Sequence, residues 1–427
     1  MSSRCSAAKL VRLILLSVIC AAATCLTGTP LLAADQPPAL AVPVGASDEP
    51  PVEAESVVLM DATDGAILYE RAAHVRRYPA SLTKILTAIL VIEDGDPDAI
   101  VTVGQRPAKV GESSISLKPG EQIPLDHLLQ AILVKSANDA ATAAAEHLAG
   151  SVEAFVDRMN QRARELGAQG THFTNPHGLH EPDHYTTAYD LTVLTRHAMG
   201  LERFRELVAT KEATIPWPGH QWDRLLINRN KLLGEYPGVN GVKTGYTRPA
   251  GRCIILSAAQ DDFSIIGVLL KTRHLWEDAR AFLDWAFARF GRVHLVRAQG
   301  TSAYVPVQQG RLGQVRAVAA EDLWATMRRD QLPAVQVEFM RPVLVAPIAT
   351  GQPAGSVVVR LPDGRKLTTG LVAAQDVPLS PWAWAQQHWS VTLLSLAILL
   401  LVLWLPWYAC KKRWPRRAAA PGASARR

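Results

Sequence analysis

Pro79-Ala80-Ser81-Leu82-Thr83-Lys84 leads into an apolar helical pattern over Thr83–Ile92. On a helix, residues three apart share a face, so the Ser81 hydroxyl and the Lys84 amine fall within hydrogen-bonding reach of one another. A lysine held neutral by burial or by a neighbouring cation can take the serine proton. Two fixed letters at this spacing arise about once by chance in a chain of this length, so the pair needs partners before it carries chemistry.

Two further triplets supply them. Ser136-Ala137-Asn138 lies between helical patterns at Leu125–Val134 and Asp139–Leu148, where a loop would turn both polar side chains toward a cleft. A plainer reading of Ser136 is an N-cap for the helix that follows. Lys243-Thr244-Gly245 opens a run of strand-like sequence from Gly238 to Lys271. A lysine and a hydroxyl on a strand edge suit a carboxylate, and the glycine admits a close backbone approach. The plainer reading here is a turn beside a hairpin.

Around these triplets the chain reads as an α/β, more strictly α+β, architecture. Val57-Val58-Leu59-Met60 and Ala66-Ile67-Leu68-Tyr69 flank Asp64-Gly65, a hairpin signal. Further helical patterns lie at Val152–Leu166, Thr187–Met199 and Leu275–Phe290, and strands at Arg252–Ala258 and Phe263–Leu270. One sheet covered by helices accommodates this order, over residues 56–295. After Gly300 the pattern changes to short β-branched runs with a Pro362-Asp363-Gly364 turn, which predicts a small all-β domain over residues 300–378.

Tyr78-Pro-Ala-Ser-Leu-Thr-Lys84, Ser136-Ala-Asn-Asp-Ala140, Thr174-Asn-Pro-His-Gly-Leu179 and Val239-Asn-Gly-Val-Lys-Thr-Gly245 together resemble the low-molecular-mass penicillin-binding proteins of the D-alanyl-D-alanine carboxypeptidase family. The resemblance runs from about Glu55 to Phe290 and implies a β-lactamase/transpeptidase-like domain. It implies that Ser81 is acylated, that Lys84 is its base and that Ser136 relays a proton to the departing D-alanine. Asn138 would contact the substrate amide, and Lys243 and Thr244 would bind the terminal carboxylate beside Gly245. Backbone N–H groups of Ser81 and Tyr246 would form the oxyanion hole. The partners implied are peptidoglycan stem peptides and β-lactams, with no cofactor.

The family often carries an arginine after the last two strands that assists with the carboxylate; Arg273 is nearest, at a spacing that departs from the pattern. His177 reads as a structural loop histidine, since Lys84 fills the base role. Hydrolysis is expected over crosslinking, because the resemblance is to the carboxypeptidase branch and no glycosyltransferase segment precedes the domain. Two rivals remain. A class A β-lactamase needs a deacylating glutamate, and no Glu-x-x-Leu-Asn stretch lies between Asn138 and Lys243. A non-catalytic wall-binding scaffold would have no need of three intact triplets.

The charge distribution points to a membrane rather than to nucleic acid. The formal net charge is +6, yet residues 1–34 and 409–427 together hold ten cations and no acid, which leaves the body net acidic. Arg4, Lys9 and Arg12 precede an uncharged run from Leu13 to Leu26 and small residues up to Ala34, the pattern of a secretory signal cleaved after Ala34. An uncleaved anchor and lipid attachment at Cys25 fit less well, the latter because Thr24 precedes the cysteine. Asp35 to Glu55 carries five prolines and reads as a disordered spacer.

Ser390 to Cys410 is uncharged, Trp382, Trp384 and Trp389 lie before it and Trp404, Trp407 and Tyr408 at its far end, and Lys411-Lys412-Arg413 follows. This predicts a transmembrane helix over 389–410 with the basic tail 411–427 in the cytoplasm and the catalytic part outside. Only Cys253 remains in the body, and no metal-ligand spacing is present.

Overall fold

The computed structural model describes residues 48–412. The expected signal segment 1–34, most of the expected spacer and the tail beyond Lys412 lie outside the described residues. In chain order the first part contains β1 (Ser56–Asp61), β2 (Ile67–Arg71), α1 (Lys84–Asp94), β3 (Ile100–Thr102), β4 (Gln122–Pro124), α2 (Leu125–Gln130), α3 (Asn138–Ala149), α4 (Val152–Glu165), α5 (Ala188–Gly200) and α6 (Glu202–Ala209). It continues with β5 (Glu212–Ile215), β6 (Arg224–Ile227), β7 (Val239–Thr247), β8 (Gly251–Gln260), β9 (Phe263–Thr272) and α7 (Leu275–Arg289).

The central sheet has five antiparallel strands in the order β2-β1-β9-β8-β7, so the first hairpin joins the last three strands through β1 and β9. Alternate side chains of a strand point to opposite faces. Val57, Leu59, Ile254, Leu256, Ile265 and Leu269 accordingly pack with Ala279, Phe282, Leu283 and Ala286 of α7. Val58, Ile255, Ile266 and Val268 pack into the larger core with Leu82, Ile85, Leu86 and Ile89 and with Leu191 and Leu194 of α5. Both faces are covered, which explains why β8 and β9 read as nearly continuous apolar runs.

The last part of the expected spacer is held against this body. Arg71 donates to the carbonyls of Val52 (2.9 Å) and Ala54 (2.8 Å), the Glu53 N–H donates to Asp278, and Asp48 pairs with Arg289 and Arg328.

Phe290 to Val296 forms β10, which pairs with β13 (Leu323–Arg328), so the β-rich pairing begins ahead of residue 300. β11 (Ser302–Gln308), β12 (Gln314–Ala319), β14 (Gln336–Met340), β15 (Leu344–Val345), β16 (Pro353–Arg360) and β17 (Lys366–Ala373) make a six-stranded sheet in the order β14-β16-β17-β12-β11-β15. Its core is built from Val305, Val315, Ala317, Val357, Val359 and Leu371.

A short helix, α8 (Pro381–Gln387), capped by the Ser380 hydroxyl, precedes α9 (Trp389–Lys412). Twenty residues of α9, Trp389–Tyr408, are long and apolar enough to cross a bilayer, and none is buried against the protein.

Candidate active site

The turn that carries Ser81 is tighter than a regular helix start. Ala80–Thr83 is a 3-10 turn, Ala80 has φ +49°, and α1 begins only at Lys84. A side-chain-bearing residue in the left-handed region is uncommon and gathers at functional sites. The turn is pinned from behind by His184, which is pushed down to about 3 by burial first and His172 second and is therefore neutral. Its Nδ1 accepts from the Thr174 N–H (3.0 Å), which leaves Nε2–H to donate to Thr83 Oγ1 (2.8 Å), whose hydroxyl donates to the Ala80 carbonyl (2.9 Å). Gly178, at φ +87°, lies so close that an added Cβ would stand 1.8 Å from that same carbonyl oxygen.

Lys84 is fully buried and bonds three partners: Nζ donates to Asn138 Oδ1 (2.6 Å) and the His177 carbonyl (2.7 Å), and lies 3.2 Å from Ser81 Oγ, from whose hydroxyl the neutral amine can accept. Burial, and then the like charge of Lys243, holds its amine well below the usual lysine range. The expected serine–lysine contact is therefore present. His177 contributes its carbonyl; its ring Nδ1 accepts from the Leu179 N–H, and burial holds the imidazole neutral. Asn175 builds this loop by accepting from the Gly178 N–H (2.7 Å) and donating to the Leu179 carbonyl (3.0 Å).

A π-helical segment, Ala131–Lys135, ends in Ser136 at φ +67°, and Ala137 rather than Ser136 occupies the N-cap position of α3. The capping reading of Ser136 is thus replaced. The left-handed turn presents its hydroxyl to Lys243, whose Nζ donates to Ser136 Oγ at 2.8 Å. Lys243, also buried, is lowered to about 7 by burial and then by the charge of Arg229.

β7 is the edge of the sheet and carries Lys243, Thr244, Gly245 and Tyr246 past the Ser81 turn. A Cβ on Gly245 would meet the Pro79 carbonyl oxygen at 3.0 Å and the Ser81 nitrogen at 3.2 Å, so glycine is what lets the strand approach. Ser81, Lys84 and Asn138 form one hydrogen-bonded group and Ser136 and Lys243 a second, the Lys243 charge acting on Lys84, with Thr244, Gly245 and the exposed Tyr246 along the edge strand.

Arg273 is exposed; its carbonyl accepts from Arg252, and among the described residues no hydrogen bond or ion pair joins its guanidinium to the site. The arginine at the site is Arg229, which sequence reasoning missed. It donates to Ser113 Oγ (3.4 Å), and no carboxylate partners it among the described residues. Asn228 and Asn230 brace it by bonding the Thr210 and Gly241 carbonyls, so the Asn-Arg-Asn triplet was the available signal. A crevice of about 810 Å³ lined by Tyr189, Arg196, Arg205 and Asn240 lies elsewhere, and none of the site side chains lines it.

A serine beside a buried lysine, a second serine–lysine pair and an edge strand come together here. Residues 44–274 match the family model for D-alanyl-D-alanine carboxypeptidase, and residues 290–379 match that for the penicillin-binding protein 5 C-terminal domain. The chain belongs to the D-alanyl-D-alanine carboxypeptidase family of penicillin-binding proteins. It is 34% identical to D-alanyl-D-alanine carboxypeptidase DacF of Bacillus subtilis over 76% of this chain and 85% of that protein. It is 33% identical to DacD of Escherichia coli over 73% and 84% of the two chains. The crystal structure of penicillin-binding protein 5 from Haemophilus influenzae superposes with a TM-score of 0.60 at 30% identity, covering 78% of this chain and 99% of that one. These relatives place the chain with the carboxypeptidases rather than with class A β-lactamases or non-catalytic scaffolds.

Proposed function

We propose that the protein removes the terminal D-alanine from peptidoglycan pentapeptides through an acyl-enzyme on Ser81, and that penicillins acylate the same serine. The observation that carries this reading is the fully buried Lys84, whose amine lies 3.2 Å from Ser81 Oγ and is held toward its neutral form. Neutral Lys84 accepts the Ser81 proton as Oγ attacks the carbonyl carbon of the scissile bond. The oxyanion that forms is received by the backbone N–H groups of Ser81 and Tyr246, on the turn and the edge strand that Gly245 brings together. The C–N bond breaks as Ser136, bonded to Lys243, relays to the amine of the departing D-alanine the proton that Lys84 took from Ser81. Water then attacks the acyl carbon, releasing the shortened peptide and restoring Ser81.

Lys243 and Thr244, with the Arg229 guanidinium nearby and no carboxylate pairing it among the described residues, supply the carboxylate site, which fits a free C-terminal D-alanine. Asn138 is placed to meet the substrate amide beside the catalytic lysine. The protein is anchored by α9, with the catalytic part on the outer face of the cytoplasmic membrane. The 24 residues of α9 extend about 36 Å at 1.5 Å per residue, enough for a hydrocarbon core of about 30 Å. Exposed Trp382, Trp384 and Trp389 precede the apolar run and Trp407 and Tyr408 close it.

The test is Ser81→Ala. The variant should melt like the wild type and take up no fluorescent penicillin; labelling that persists refutes the assignment of the nucleophile.

A further inference from the structure

At the end of the central sheet where β7 begins, α5 does not close onto the strands. Ile255, Ile266 and Val268 on this face pack into the core, but the face ends in Ser257 and Ser264, too small to fill the space under the helix. Above them α5 presents Tyr189, Val193, Arg196 and Gly200, a stripe at helical spacing beside the core-facing Leu191 and Leu194. The crevice of about 810 Å³ lies between the two, flanked by Met60, Leu166 and Met199. Gly245, which passes the Ser81 turn, is five residues or about 16 Å along β7 from Asn240 at the crevice.

No aspartate or glutamate lines this crevice, and two arginines do. Arg196 donates from Nε to the Ala62 carbonyl (3.4 Å) and from Nη2 to the Thr63 carbonyl (3.1 Å). Gly65 lets it lie there, since a Cβ at that position would stand 2.9 Å from the Arg196 Cζ. Arg205 donates from Nη1 to the Met199 (2.7 Å) and Gly200 (3.0 Å) carbonyls at the end of α5. Among the described residues no carboxylate pairs with either guanidinium, so neutral groups orient both charges and each keeps N–H donors for another acceptor. The C-terminal end of α5 carries roughly half a negative charge, which offsets part of Arg205 and leaves the crevice net positive. His197 is spent on Glu93. Ser257 is 4% exposed, and its hydroxyl opens on the crevice with no hydrogen-bond partner among the described residues. A buried hydroxyl without a partner is uncommon, and a polar ligand accounts for it.

Oriented guanidinium forks, a hydroxyl-bearing floor and apolar flanks specify the ligand between them. A carboxylate saturates one fork, whereas a phosphate offers two arginines enough oxygens and nearly two charges. Ser257, Ser264 and Asn240 supply hydroxyl and amide groups that match the alcohols of a polyol, and the volume lies in the range of small-molecule sites. We infer that the crevice is a second binding site, separate from the serine site, for a sugar or polyol that carries a phosphate. The phosphate lies against Arg196 and Arg205, and the alcohols face Ser257 and Asn240. A free or polymeric sugar phosphate and the headgroup of a glycerol phospholipid both present this chemistry. The inference does not depend on the reaction at Ser81.

The test is calorimetric titration of the full chain in non-ionic detergent with glucose 6-phosphate, and with glucose and inorganic phosphate for comparison. Glucose 6-phosphate should bind roughly tenfold or more tightly than either, since it alone engages both the arginines and the hydroxyl-bearing floor. Arg205→Gln should weaken it roughly tenfold and Ser257→Ala about threefold, with melting temperature as the check on folding. Arg196→Gln should act like Arg205→Gln; because Arg196 also holds the first hairpin turn, the other two variants carry the test if it fails to fold. The full chain in phosphatidylcholine vesicles, with and without phosphatidylglycerol, separates the two sources. Loss of glucose 6-phosphate binding when phosphatidylglycerol is present identifies the lipid headgroup as the occupant, and unchanged binding identifies a free or polymeric sugar phosphate. Inorganic phosphate that binds as tightly as glucose 6-phosphate, no binding at millimolar concentration, or binding undiminished in folded Arg205→Gln overturns the inference.

Discussion

Replacing Lys84 by arginine separates the charge of this residue from its basicity. Lysine fits the pocket because it is fully buried, because its amine is matched by Ser81, Asn138 and the His177 carbonyl, and because burial and Lys243 push it toward neutrality. A guanidinium in the same place stays protonated and cannot take the Ser81 proton. Loss of a general base costs roughly 10²- to 10⁴-fold, or about 2.7–5.5 kcal/mol of barrier. Lys84→Met removes the amine altogether and leaves Asn138 Oδ1 and the His177 carbonyl without this donor, at about 1–3 kcal/mol each. Relief from burying a potential charge offsets part of that loss.

The assay is the rate of labelling by fluorescent penicillin, with thermal melting as the check on folding. In the wild type the rate should rise with pH, because only the unprotonated amine accepts a proton. It should be lost as pH falls through a lysine pKa well below the free value. A folded Lys84→Arg variant that acylates within about fivefold of the wild type would refute the role of Lys84.

Two further outcomes follow from the carboxylate site and the anchor. Lys243 is lowered to about 7 in the free protein, so kcat/KM for an acid-ended peptide should decline as pH rises through about 7 and the lysine loses its charge. A C-terminal amide should be roughly 10- to 100-fold poorer at pH 6, by loss of a charge-assisted contact, and should show a weaker decline; equal rates for acid and amide contradict the site. Truncation after His388 keeps α8 and its buried Ala383 but deletes the apolar run, so penicillin-labelled protein should appear in the soluble fraction. Retention of the truncated, signal-processed chain on membranes would show that another part anchors it.

Local pattern and turn chemistry revealed the elements that are long or sharply punctuated. Asp64-Gly65 marked the first hairpin, and Val152–Leu166 and Thr187–Met199 lie within a residue or two of α4 and α5. β3 and β4 are three residues each, too short for any period to register, and α6 follows Gly200 so closely that the break concealed a second helix. Alternation in β5 is weak because Glu212-Ala-Thr-Ile215 pairs with β6 across a long Pro- and Gly-rich connection. In the site, the triplets were visible because their members are neighbours in sequence. His184, Arg229 and Asp139 were not, because each acts on a residue far along the chain: Thr83, Ser113 and Ile115 respectively. The left-handed backbone at Ala80, Glu112 and Ser136 leaves no mark in composition, since none of the three is glycine or asparagine.

The central claim is tested most directly by product analysis. The full chain in detergent is incubated with a pentapeptide ending in D-alanyl-D-alanine, and the products are resolved by mass. Tetrapeptide and free D-alanine should accumulate, and one equivalent of benzylpenicillin should block their formation for much longer than one catalytic turnover. Crosslinked dimer as the dominant product would contradict the carboxypeptidase account, and consumption of penicillin at many turnovers per second would contradict its slow deacylation.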